Sequence, residues 1–96
     1  MTSCFKVLVH RSDDELHLIM EGDFDHTSAD ALIRTFQKNY IGERKVFFHT
    51  SRLGRVSTSG TEAFINDFKN FPVAPKVLFF TGKSAVAMAP EGSVCL

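Results

Sequence analysis

Ninety-six residues make one small domain, residues 1–96, with chain enough for a single hydrophobic core. Apolar residues are 44% of the total and ten residues are phenylalanine, a composition that excludes a disordered chain. Eleven acidic residues balance eleven basic ones and no basic block stands out, which argues against nucleic acid or an anionic membrane surface as the partner.

No apolar run approaches the roughly 20 residues that cross a bilayer. Met1-Thr2-Ser3-Cys4-Phe5-Lys6 lacks the charged-then-apolar layout of a signal peptide, so the cytoplasm is the expected compartment. Cys4 and Cys95 lie at opposite ends and fit neither a CxxC nor a zinc spacing. They read as buried or spectator thiols, approaching each other only if the terminal strands are neighbours. No metal and no cofactor is implied.

In chain order, Phe5 to Arg11 alternates Phe5, Val7 and Val9 against Lys6, Leu8 and His10, the period of a strand. Ser12-Asp13-Asp14 is a turn cluster, and Leu16, Leu18 and Met20 resume the alternation. A two-residue loop at Asp13-Asp14 predicts a hairpin that pairs His10 with His17. With no carboxylate or cysteine completing a metal set by spacing, the two histidines read as a half-exposed pair.

Thr27 reads as the cap of a first helix, with Asp30 as its reciprocal partner. Ala29, Leu32, Ile33, Phe36 and Tyr40 give that helix one apolar face, Arg34, Gln37 and Lys38 point outward, and Gly42 ends or follows it. Lys45 to Thr50 reads as a parallel strand covered on both faces, because its centre is continuously apolar. Leu53 and Val56 read as apolar plugs in the loop that follows. A second helix is expected from about Ser59 to Phe71, with Phe64, Phe68 and Phe71 in the core and Pro72 and Pro75 as terminators. Lys76 to Phe80 is a fourth strand closed by Thr81-Gly82. Ser84 to Ala89 reads as a short helix stopped by Pro90, and Ser93 to Leu96 as a short last strand.

The order β-β-α-β-α-β, with a short helix and strand after it, predicts an α/β domain. Its mixed four- or five-stranded sheet opens with an antiparallel hairpin and continues parallel, with right-handed crossovers and the main helices on one face. His49 falls at the end of the third strand, near the rim, as a half-buried polar residue.

Two segments carry chemistry. Gly22-Asp23-Phe24-Asp25-His26-Thr27-Ser28-Ala29 leads into the first helix, and Leu53-Gly54-Arg55-Val56-Ser57-Thr58-Ser59-Gly60 leads into the second. A helix start leaves backbone N–H groups unpaired at a positive dipole end, so hydroxyls cap it and a phosphate is electrostatically welcome. Together with the element order, these two segments resemble the STAS domain over roughly Leu16 to Phe80. That family includes bacterial anti-sigma factor antagonists and parts of sulfate transporters.

The resemblance implies a cytoplasmic signalling protein that acts in transcription regulation by partner switching. Its partner would be a kinase-type anti-sigma factor or related signalling protein, bound when the antagonist is unphosphorylated and driven off by phosphorylation. Thr58 falls on the phosphoacceptor position, with Ser57 and Ser59 as alternatives, and Asp25 falls on the aspartate beside it. The implied partner surface takes in Asp23, Asp25, His26, Ser57, Thr58, Ser59, Gly60 and Glu62, with Thr61, Asn66 and Lys69 on the outer side of the second helix. Ser57 stands where the family usually has aspartate, and Lys83 to Leu96 replaces its long last helix.

Beside this reading stands a plainer one, in which Ser59-Gly60-Thr61-Glu62 is a capping box and the hydroxyls serve only the helix. It leads to a scaffold or self-association domain, such as a homodimer, indifferent to a kinase. An enzyme or nucleotide-binding protein built on Asp25, His26 and Thr58 is disfavoured, because the chain has no P-loop, no GxGxxG and no metal-spaced cluster.

Overall fold

The alternation read from the first twenty residues is a hairpin in the computed structural model, which describes residues 5–71 and 73–96. Strand β1 (Lys6–Ser12) runs antiparallel to β2 (Glu15–Phe24), and His10 lies opposite His17 as the two-residue loop requires. Asp13 takes φ 53 in that loop, a left-handed conformation that aspartate tolerates. Cys4 and Pro72 lie outside the described residues. Cys95 is free and exposed, on the strand at the opposite sheet edge from β1.

Helix α1 (His26–Asn39) follows β2, strand β3 (Lys45–Val56) pairs parallel with β2, and helix α2 (Thr58–Phe68) follows β3. A 3-10 turn at Pro75–Val77 leads into β4 (Leu78–Thr81), which is parallel to β3. The short helix α3 (Ala85–Met88) and the two-residue strand β5 (Val94–Cys95) complete a five-stranded sheet in the order β1-β2-β3-β4-β5. Gly42 follows α1 at φ 98, two residues beyond the cap at Tyr40.

Alternation decides which side of each strand is covered. Leu16, Leu18 and Met20 from β2, Val46 and Phe48 from β3, and Leu78 and Phe80 from β4 are all buried against the helices. Phe48 sits at the centre of this layer. Its ring is 4.8 Å from Phe80, 5.6 Å from Phe64, 5.8 Å from Phe68 and 6.1 Å from Phe36. Both main helices therefore pack on one face through a single phenylalanine cluster.

The other face is open, which corrects the expectation that β3 is covered on both sides. Phe47 is only half-buried; its ring stacks on those of Phe79 and His17 rather than under a helix. Strand β3 is also longer than Lys45 to Thr50. Leu53 and Val56 belong to it, Leu53 paired with Gly22 beyond one shift of register and Val56 with Phe24 beyond a second, so they are not loop plugs. His49 accordingly lies within the strand and not at its end.

At the lower edge of α1, Glu43 is buried and satisfied. It accepts the Ile41 N–H at 2.9 Å and the Arg11 Nε–H at 2.8 Å, while Arg11 also donates to the Asn39 carbonyl. Burial opposes ionisation of Glu43, but these donors hold its carboxyl below the ordinary range. No helix among the described residues is long and apolar enough to cross a membrane.

The phenylalanine cluster gives a direct test of this packing. Phe48→Ala leaves a cavity between both helices and the sheet and is expected to cost about 3–5 kcal/mol. Ile41→Ala, at a position 79% exposed, is expected to change stability by less than about 0.5 kcal/mol in urea melts.

Candidate functional site

The register of β2 against β3 places Phe24 opposite Val56. Each strand then gives way to a helix after one further residue, so the two helix caps, Asp25 and Ser57, occupy equivalent positions. Parallel pairing thus brings both helix starts to the same end of the sheet. The junction is tied by the backbone, with Ser57 N–H donating to the Phe24 carbonyl at 2.9 Å.

Both caps stand two residues earlier than the sequence reading put them. Asp25, not Thr27, caps α1: its Oδ1 accepts the Ser28 N–H at 2.9 Å and the Ser28 hydroxyl at 3.1 Å. The Ser28 backbone N–H first, then its hydroxyl, hold the Asp25 carboxyl below the ordinary range, so the cap is an anion at neutral pH. Ser57, not Ser59, caps α2, with Oγ accepting the Gly60 N–H at 3.1 Å. Gly60 thereby takes the third helical position, and the capping box proposed for Ser59 to Glu62 does not form.

Two close approaches weld the segments together. A side chain on Gly60 would place its Cβ 2.8–3.0 Å from the backbone C, Cα and O of Asp25, so only glycine lets α2 touch the start of α1. One turn back, Asp23 Oδ1 accepts the Arg55 N–H at 2.9 Å, and a Cβ on Gly54 would lie 2.6 Å from that same oxygen. Asp23, Phe24, Asp25, Arg55, Val56 and Ser57 line a shallow depression of about 500 Å³ on this rim.

Most of the predicted site residues are therefore collected at one end of the sheet. Asp25, Thr58 and Ser59 are exposed, Asp23 and Ser57 are half-buried, and Gly60 is buried in the junction. The Ser57 and Ser59 hydroxyls lie 3.2 Å apart. Thr58 occupies the first position of α2, and its carbonyl accepts the Thr61 hydroxyl at 3.0 Å. Among the described residues, the Thr58 hydroxyl makes no such bond itself. His26 and Glu62 are exposed on the first turns of α1 and α2, and no hydrogen bond or ion pair among the described residues joins them to the cluster. Thr61 is buried, which removes it from the outer side of α2, where Glu62, Asn66 and Lys69 remain exposed.

Sequence reasoning missed the work of Ser28. This buried serine donates to the Asp23 carbonyl at 2.8 Å as well as to Asp25, tying the two acidic residues to the helix start. The spacing Asp-x-x-Ser was its only signal. No group of three or more His, Cys, Asp or Glu among the described residues is placed to hold a metal ion. No protein-family model matches this chain, and a search of curated proteins gives no match either.

The cap assignment yields an ordered set of expectations. Ser57→Ala removes the α2 cap and is expected to cost about 1 kcal/mol in denaturant unfolding. Thr58→Ala and Ser59→Ala are expected to stay within about 0.5 kcal/mol of the parent. The reverse order would return the cap to Ser59.

Proposed function

We propose that this chain is a phospho-regulated protein-binding module of the anti-sigma factor antagonist type, switched at Thr58. The observation that supports the reading is the division of labour at the start of α2. Ser57 performs the capping, so the exposed hydroxyl of Thr58 is not needed by its own helix. A hydroxyl with no structural duty is free to be modified without loss of the fold.

A phosphate on Thr58 adds about −1.5 to −2 charges at one point. At the amino end of α2 the helix dipole favours that charge, so the domain itself tolerates it. A partner fitted to the unphosphorylated surface of Asp23, Asp25, His26, Ser57, Ser59 and Glu62 does not. The negative charge already carried by Asp25 adds to the repulsion of any partner that approaches with acidic groups. The partner we infer is a kinase-type anti-sigma factor or a related signalling protein, met in the cytoplasm.

A second reading, constitutive self-association, draws on β1. This strand forms one edge of the sheet, with Leu8 43% and Val9 41% exposed, and an uncovered edge can pair with a second copy. A homodimer formed that way would be indifferent to Thr58.

Binding of Thr58 variants to a kinase-type partner separates the two readings. Thr58→Ala is expected to bind as the parent does, and Thr58→Glu at least about tenfold more weakly. Equal affinities for the two variants, or a dimer of unchanged mass in both, would count for the constitutive reading.

A further inference from the structure

The open face of the sheet carries a chain of hydrogen-bonding side chains across three strands. Glu15 Oε1 lies 3.1 Å from His17 Nε2, His17 Nδ1 lies 2.9 Å from His49 Nε2, and His49 Nδ1 lies 2.8 Å from Thr81 Oγ1. The two imidazoles are nearly coplanar, 5° apart, and the His17 ring also stacks on Phe47. The Thr81 end is held from below, because its carbonyl accepts the Thr50 hydroxyl at 2.8 Å.

Such a chain has few allowed proton arrangements. A carboxylate only accepts, so His17 Nε2 carries hydrogen toward Glu15. With His17 neutral, its Nδ1 is an acceptor, and His49 must donate from Nε2. His49 Nδ1 is then an acceptor too, and the Thr81 hydroxyl donates inward. One added proton is accommodated by reversal: His17 donates from both nitrogens, His49 accepts at Nε2 and donates from Nδ1, and Thr81 becomes the acceptor. A second proton would set two N–H groups face to face across 2.9 Å.

We propose that Glu15, His17, His49 and Thr81 form a one-proton switch that reverses the hydrogen-bonding sense of Thr81 on the open sheet face. Neutral, the chain turns the lone pairs of Thr81 outward and leaves the pair uncharged. Charged, it frees the Thr81 O–H for an outside acceptor and adds one positive charge between Phe47 and its neighbours. The wiring spans β2, β3 and β4, so the event at one end is felt at the other.

Charged and titratable groups face the pair from the neighbouring strands. Burial, and then the adjacent His17, hold His49 below the ordinary imidazole value of 6.5. From β1, His10 faces His17 at 6.0 Å between ring centroids. From β2 itself, Glu15 supplies the carboxylate, and Glu21 lies further along with Arg52 and Lys6 bound to it. From β3, Lys45 lies over the Phe79 ring at 5.6 Å, and β4 contributes only Thr81. Because the folded state lowers the His49 pKa, the native protein binds fewer protons there than the unfolded chain. The associated stability is present above about pH 6.5 and is lost as pH falls toward the folded value.

Long-range proton–nitrogen correlation spectra of the full chain, recorded from about pH 8 to pH 5, read the tautomers directly. The switch predicts Nε2–H tautomers at both His17 and His49 at the alkaline end. It predicts that the pair gains one proton over this range, with the resonances of both rings moving together. In Thr81→Val both neutral rings keep their Nε2–H tautomers, because His17 Nδ1 alone imposes that of His49, and in Glu15→Gln uptake of that proton moves down by about one pH unit. An Nδ1–H tautomer at neutral His17 would overturn the proposal. So would a full, independent proton on each ring, titrating in the parent as it does in His17→Gln and His49→Gln.

Discussion

The contact on which the functional end of this molecule depends is that between Gly60 and the backbone of Asp25. A helix start can approach another backbone this closely only where no Cβ intervenes. That approach follows from the parallel register of β2 and β3, which ends both strands at the same level at Phe24 and Val56. Two helices then begin side by side, each capped by its own residue, and the exposed groups of both starts share one rim.

Beneath the rim, the core asks little of the site. Phe48, Phe64, Phe68 and Phe80 bind sheet and helices through apolar contact alone, and no buried side-chain nitrogen or oxygen among the described residues lacks a hydrogen-bond partner. At the rim, structural duties fall on the caps at Asp25 and Ser57, the ties made by Asp23 and Ser28, and the close approach at Gly60, and among the described residues the hydroxyl of Thr58 has none. Function and stability are thus separated at the start of α2, one residue apart. The open face divides in a similar way: its phenylalanines stack with one another and with His17, while polar atoms of Glu15, His17, His49 and Thr81 bond in sequence along the sheet.

The hairpin, the apolar face of α1 and the mixed sheet were all legible in the sequence, because each rests on short-range periodicity. Leu16, Leu18 and Met20 could only face one way, and the Asp13-Asp14 loop forced His10 opposite His17. The caps were not legible. Hydroxyl or acidic residues stand at 25, 27, 57 and 59, and local chemistry ranks them closely. The choice was made by tertiary register, which put Asp25 and Ser57 directly after paired residues. In the same way, Arg52 and Leu53 read as loop because their pairing with Glu21 and Gly22 lies across a shift of register with β2. Phe47 read as covered because an apolar run does not say whether its second face meets a helix or stacked rings. The bonds from His17 to His49 and from His49 to Thr81 each join residues 32 apart, so no spacing rule reaches them.

The central claim is that Thr58 is a hydroxyl kept available for phosphate, and its modification state in the native host tests that claim most directly. Trypsin cuts after Arg55 and Lys69 and isolates Val56 to Lys69, a single peptide holding Ser57, Thr58, Ser59 and Thr61. Fragmentation of that peptide assigns a phosphate to one hydroxyl. The account predicts phosphate on Thr58, with Ser57, the cap of α2, unmodified. A peptide without phosphate across growth conditions, and still without it after incubation with host lysate and ATP, would contradict the account and leave the rim as a pair of capped helices.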